Sequence, residues 1–336
     1  MTRPTPISMR LAHAIALAAL AAASWLAAPA SAAATSEPTA ATAPAHAATA
    51  AAAALPAAQL FSIPVHEGGE DLAMVTHVFL PPGNGPFPVV LFSHGRPPGK
   101  DGRASLEQGV SREQLRFWLA RGVAVVSPIR PGYGPSPGND PEQSFVRRDH
   151  AGRCTGRPDF RKTADAASLT VSATLAWIKG QRWADASHVL LVGQSVGGLT
   201  SVAAAAQPLA GVVGYINFAG GSGGDPAVAP GHSCDPGQLT RMYADYGRTT
   251  TLPNLWVYAS NDQYWGPDVP VAWHDAFAKG GSRTTFVHAP AVEDGDGHGL
   301  SRHARALWAS YVETYIASIG FPPAAPGAAS ATSAPR

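Results

Sequence analysis

From residue 88 onward, short unbroken apolar runs alternate with stretches in which apolar side chains recur every three or four positions. The first pattern predicts buried strands, the second helices with one apolar face. Strands are predicted at 88–93, 123–129, 189–192, 211–218, 254–259 and 284–287, with 74–80 as part of an antiparallel entry region ended by Pro81-Pro82-Gly83. Ser111 with Gln114 three residues on has the spacing of a capping box, and the helix it opens presents Leu115, Trp118 and Leu119 before Gly122 stops it. Further helices are predicted on Ala167, Val171, Leu175 and Ile178, on 199–206, on Val269, Trp273 and Phe277, and on Leu307, Tyr311, Tyr315 and Ile319. The alternation predicts an α/β domain, a mostly parallel sheet covered by helices on both faces.

Two stretches break the alternation. Residues 133–161 are rich in Gly and Pro and carry Arg147, Arg148, Arg153, Arg157 and Arg161, readable as a solvated surface loop or as an electropositive rim for an anionic substrate. Residues 220–252 open on a glycine run and read as a second irregular insert, a small loop-rich lid.

The ends of the chain are different in kind. Arg3 and Arg10, the apolar stretch 11–26 and Ala30-Ser31-Ala32 spell a cleavable export signal over residues 1–32, with an uncleaved anchor as the alternative. Residues 33–59 and 322–336 are dominated by Ala, Pro and Thr or Ser and cannot bury a core, which leaves 60–321 as the folded domain. Export makes Cys154 and Cys234, the only two cysteines, candidates for one disulfide that would staple the two inserts together. With a net charge of +1 and 14% charged residues, nothing points to nucleic acid or an anionic membrane surface, and beyond the signal no segment is suited to spanning a bilayer.

The chemistry centres on Gly193-Gln194-Ser195-Val196-Gly197-Gly198, set between the apolar run 189–192 and a helix of small residues. Strand, tight turn and helix with a serine at the apex form a nucleophile elbow. A serine hydroxyl needs a base, a carboxylate to orient the base, and donors for a developing oxyanion. Asp262, directly after the strand 254–259, and His298, between glycines in the loop after the last strand, supply the carboxylate and base in the chain order this elbow requires. Asp268 reads instead as a helix N-cap and Asp275 as a solvated helix residue; His288 and His303 belong to a strand and to the final helix. The oxyanion donors are expected to be the backbone N–H groups of Val196 and Arg96, with His94 holding the loop that carries Arg96. Glu293, Asp294, Asp296 and His298 also make an oxygen-rich loop, but their spacing is not that of a calcium loop.

Phe92-Ser93-His94-Gly95, Arg130-Pro131-Gly132-Tyr133-Gly134-Pro135-Ser136, the Ser195 elbow, Asn261-Asp262 and Gly297-His298-Gly299 together resemble the α/β-hydrolase superfamily, in its dienelactone-hydrolase-like and prolyl-oligopeptidase-like branch. The resemblance implies an α/β-hydrolase fold with an eight-stranded, mostly parallel sheet, no metal or organic cofactor, and an acyl-enzyme mechanism. Serine stands where dienelactone hydrolases proper resemble each other in carrying cysteine, and no segment here supplies the propeller domain of prolyl oligopeptidases. The expectation is an exported serine hydrolase acting on a small-molecule carboxylic ester. A peptidase or amidase of the same fold and a catalytically silent binding module are the alternatives.

Overall fold

The computed structural model describes residues 54–322 except Gly68 and Pro98. The expected signal peptide, most of the expected linker and all but the first residue of the expected tail lie outside those residues.

Eight strands form the central sheet: β1 (Gln59–Glu67), β2 (Glu70–Phe79), β3 (Phe87–Ser93), β4 (Ala124–Pro128), β5 (Ala184–Gln194), β6 (Val212–Phe218), β7 (Asn254–Ala259) and β8 (Thr284–Ala289). Across the sheet they run in the order β1-β2-β4-β3-β5-β6-β7-β8. β2 is antiparallel to both β1 and β4, and every other neighbouring pair is parallel. The antiparallel entry expected at 74–80 is therefore the second half of a hairpin whose first strand, β1, the apolar pattern did not reveal.

Alternation along each strand divides the core in two. On one face Val89 and Leu91, Val189 and Leu191, and Trp256 and Tyr258 pack beneath helices α3 (Phe160–Ile178), α4 (Val196–Ala205), α5 (Pro236–Thr249) and α6 (Val269–Ala278). On the other, Val90 and Phe92, Leu190 and Val192, and Leu255 and Val257 pack against α2 (Arg112–Leu119) and α8 (Arg305–Ser318). Strands covered on both faces read as continuous apolar runs, which is why these were the easiest elements to foresee. Two short α-helices, α1 (Gly99–Ala104) and α7 (Leu300–His303), and a single 3-10 turn at Gly297–Gly299 are also present among the described residues.

Three local expectations change. The second insert is not irregular throughout: fourteen of its residues form α5, which buries Leu239, Met242, Tyr243 and Tyr246 beside α6. Only its first part, with the small hairpin of Gly224–Asp225 and Ala229–Ser233, is loop-like. The last helix buries Trp308, Val312, Tyr315 and Ile316, while Tyr311 points to solvent, so its apolar stripe is turned from the one expected. The capping box is half built. Gln114 N–H donates to Ser111 Oγ at 3.3 Å, but the Gln114 side chain accepts from Trp118 Nε1 and donates to the Ser301 carbonyl instead of returning to the cap.

Candidate active site

The elbow is dictated by backbone crowding. A Cβ on Gly193 would lie 1.9 Å from the Gly197 carbonyl oxygen, and one on Gly197 would lie 1.9 Å from that of Ser93. Only glycine admits such an approach. Between them Ser195 takes φ +58° and ψ −125°, a strained conformation that lifts its side chain off the end of β5 at the first turn of α4.

Three loops at the carboxyl edge of the sheet then converge. His298 Nε2 lies 2.9 Å from Ser195 Oγ, and His298 Nδ1 lies 3.0 Å from Asp262 Oδ2. All three side chains are buried. A carboxylate only accepts, so Nδ1–H donates to Asp262 and leaves Nε2 free to take the serine proton. The other carboxylate oxygen of Asp262 accepts the N–H groups of Tyr264 at 2.8 Å and Trp265 at 3.1 Å, which fixes its orientation. Asn261, next to it, donates to the carbonyls of Val292 and Gly295 and accepts from Val292 N–H, tying down the glycine-rich loop that carries His298.

Asp296 accepts the N–H groups of His298 and Gln263, so it ties the two loops together through backbone amides. Among the described residues no group of His, Cys, Asp or Glu is arranged to hold a metal ion.

The rival residues lie elsewhere. Asp268 occupies the N-cap position of α6 as expected, yet its side chain makes no capping bond. Asp275 is exposed on α6, His288 is exposed on β8, and His303 ends the short helix α7 and does not belong to the final helix.

Two neighbours escaped sequence reasoning. The Tyr264 ring stacks on the His298 imidazole with centroids 3.9 Å apart, and Trp265 meets it edge-on at 5.3 Å. Their signal was position alone, two and three residues after Asp262 in the same loop. Gln194, inside the elbow motif, donates to the His298 carbonyl at 3.1 Å.

The loop after β3 passes directly over the nucleophile: a Cβ on Gly95 would sit 3.2 Å from Ser195 Cβ. Arg96 borders both cavities that reach Ser195 and Val196 borders one of them, and the backbone N–H of neither donates to a protein acceptor among the described residues. His94 is buried and neutral, its pKa held well below the usual range by burial and by the charge of Arg130. It bridges the loop to β4 by accepting Arg130 N–H on Nε2 at 3.1 Å. A buried network completes this support; Arg130 and Tyr133 stand in a stretch quoted above for its resemblance, while their side-chain partners were not foreseen. The Arg130 guanidinium pairs with Glu142 and donates to the His94 carbonyl at 2.6 Å. Arg96 donates to Tyr133 Oη at 2.6 Å and to Asp140, and Tyr133 in turn donates to Glu142 at 2.6 Å. Burial alone would raise the Asp140 pKa, but the hydrogen bond and charge of Arg96, with the charge of Arg103, bring it below the usual range.

Cys154 and Cys234 are disulfide-bonded, with Cα atoms 5.5 Å apart, and link the two inserts. Arg148 does the same without covalency, donating to the carbonyls of Gly152, Gly223 and His232. Arg153 and Arg161 pair with Asp149 and Asp245, while Arg147 and Arg157 are exposed. Of the five insert arginines, only Arg148 borders the cavity beside Ser195, so the row as a whole does not form a rim around it.

By sequence, the chain matches no protein-family model and shows no significant match to a curated protein. By structure it is similar to an esterase of Pyrococcus furiosus, with a TM-score of 0.50 and 11% identity over 78% of this chain and 91% of that one. It is also similar to an acylaminoacyl peptidase of Pyrococcus horikoshii, TM-score 0.50 and 14% identity over 78% of this chain and 42% of that one. A puromycin-hydrolyzing peptidase of Mycobacterium tuberculosis gives a TM-score of 0.50 and 18% identity over 80% of this chain and 42% of that one. The chain thus spans less than half the length of either peptidase. With the strand order, the elbow and these likenesses together, the fold is the α/β-hydrolase fold.

Proposed function

We propose that the protein is an exported serine hydrolase that cleaves carboxylic esters through an acyl-enzyme. The observation that carries this reading is the unbroken chain of hydrogen bonds from Asp262 through His298 to Ser195; Arg96 and Val196, whose N–H groups have no protein acceptor among the described residues, line the cavity that Ser195 also borders. His298 Nε2 removes the Ser195 proton as Oγ attacks the carbonyl carbon, and Asp262 stabilises the imidazolium. The amides of Val196, at the N-terminus of α4, and of Arg96 receive the oxyanion. Export is supported by the N-terminal signal pattern and by the Cys154–Cys234 disulfide. Among the described residues no helix is long and apolar enough to cross a membrane.

The likeness to two peptidases keeps amide cleavage as the second reading. Labelling of the purified protein by a fluorophosphonate probe tests the activated serine without any choice of substrate. Wild type is expected to label, and Ser195→Ala and His298→Ala are not. A folded wild-type protein that stays unlabelled rejects the serine-hydrolase reading. Hydrolysis of matched esters and peptide amides then separates the two substrate classes.

A further inference from the structure

Ser195 stands where two unequal cavities meet. The larger, about 540 Å³, is bordered by Val196 and by both inserts; the smaller, about 220 Å³, is bordered by His298, Leu106, Gln108, Val110 and Arg302. His298 borders only the smaller one. Resting on the serine-hydrolase reading, we propose that the substrate is an ester whose acyl half is the large and polar one and whose alcohol is small.

The assignment follows from where the proton must go. Attack forms the Ser195 Oγ–carbon bond and moves the serine proton to His298 Nε2, while the carbonyl π electrons collect on the oxygen that faces the Val196 and Arg96 amides. When the oxyanion collapses, the bond from the acyl carbon to the alkoxide oxygen breaks, and that oxygen takes the same proton from His298 to leave as the alcohol. The leaving oxygen must therefore lie beside Nε2, in the smaller cavity. Water enters by the same position, gives a proton to His298 as it adds to the acyl carbon, and Ser195 recovers it on release of the acid. The acyl substituent is left with the remaining direction, into the larger cavity.

The walls of that cavity specify its occupant further. Arg103, Gln143, Ser144, Arg148, Asp149 and Asp225 all border it. The Arg148 guanidinium bonds backbone carbonyls only, with no carboxylate partner among the described residues, so no ion pair neutralises its charge at the cavity wall. Arg148 and the disulfide also join the two inserts that supply these walls, so the larger cavity is already built.

The test uses the purified exported chain and esters of matched size. Methyl esters of acetic, cyclohexanecarboxylic and quinic acids vary the acyl half, the last two presenting a bare and a hydroxylated six-membered ring. Cyclohexyl acetate, set beside methyl acetate, varies the alcohol. Methyl quinate is expected to exceed both methyl acetate and methyl cyclohexanecarboxylate in kcat/KM by at least about tenfold, and cyclohexyl acetate to fall below methyl acetate by a similar factor. Val228→Trp, narrowing the larger cavity, is expected to lower the quinate-to-acetate ratio, and Gln108→Trp, narrowing the smaller, to lower the cyclohexyl-to-methyl ratio. Preference for the large alcohol, or for the bare ring over the hydroxylated one, overturns the proposal while fluorophosphonate labelling leaves the serine-hydrolase reading standing. Absence of both labelling and ester turnover overturns that reading itself.

Discussion

Arg130 grips His94 twice, from its guanidinium to the His94 carbonyl at 2.6 Å and from its backbone N–H to the imidazole Nε2 at 3.1 Å. His94 starts the loop that carries the Arg96 amide, the proposed oxyanion donor, so on that reading the guanidinium positions a donor it never touches. Glu142 holds that guanidinium, and both side chains are almost wholly buried. Arg130→Lys keeps the charge but loses the planar fork, and Glu142→Gln keeps the shape but loses the charge. Each is expected to lower kcat by about ten- to a hundredfold with a much smaller change in KM, because a displaced oxyanion donor weakens the transition state more than the ground state. Steady-state kinetics at saturating ester, with thermal melts to confirm folding, checks this. A lowered melting temperature with kcat unchanged would instead mark the network as a fold support only.

Asp262→Asn tests the tautomer. An asparagine in the same place still accepts from the Tyr264 and Trp265 amides, since one side-chain oxygen remains. Its NH₂ faces His298 Nδ1, which must then accept, so Nε2 carries the hydrogen and points it at Ser195. A loss of about 10⁴ in kcat is expected with little change in melting temperature. A variant that keeps a tenth of wild-type turnover would show that Asp262 does not orient the base.

How far the site was legible in the sequence depended on whether a backbone constraint or a tertiary accident put each residue there. The Ser195 elbow was legible because two carbonyl contacts at 1.9 Å leave glycine as the only residue at 193 and 197. Asp262 and His298 were legible because each follows a strand that ends at the same sheet edge. Arg130 stood in a stretch quoted for its resemblance, but nothing marked Glu142 as its partner, as the two are joined by a loop shaped by Gly and Pro with no period to read. Arg96 was singled out for its amide while its side chain, which closes on Asp140 and Tyr133, went unread. Helix α5 did have a signal, Leu239, Met242, Tyr243 and Tyr246 at helical spacing, but the glycine run ahead of it hid where the irregular chain stops. In α8 the stripe through Tyr311 and the stripe through Trp308 and Val312 are both apolar, and packing against Phe117 and Phe218 selected the second.

The Cys154–Cys234 bond closes a loop with a sequence separation of 80. Loop-closure entropy for that length gives an upper figure of about 4.5 kcal/mol, and the range for native disulfides is about 2–5 kcal/mol. Cys154→Ser with Cys234→Ser, or wild type in reductant, is expected to lose about 2–4 kcal/mol in denaturant unfolding. Arg148 still bridges the inserts, so labelling of Ser195 below the new midpoint should persist. Unchanged stability would mean that α5 and Arg148 already restrain the inserts without the covalent link.

Glu67, at the end of β1, is buried, and neither carboxylate oxygen has a hydrogen-bond partner among the described residues. Burial, reinforced by the negative charge of Glu142, pushes its pKa from 4.5 up to about 7. Between those two values the folded protein holds a proton that the unfolded chain has released, so stability falls as pH rises through the window. Below the lower value both states are protonated and Glu67 costs nothing; above the upper one the full penalty is present. Glu67→Gln removes the titration while keeping the shape. After discounting for screening, the variant is expected to be more stable than wild type by about 1–2 kcal/mol at pH 8 and to match it at pH 4. Unfolding measured across pH 4–8 would show the two curves diverging between 4.5 and about 7, and curves that stay parallel would remove Glu67 from any account of the pH dependence.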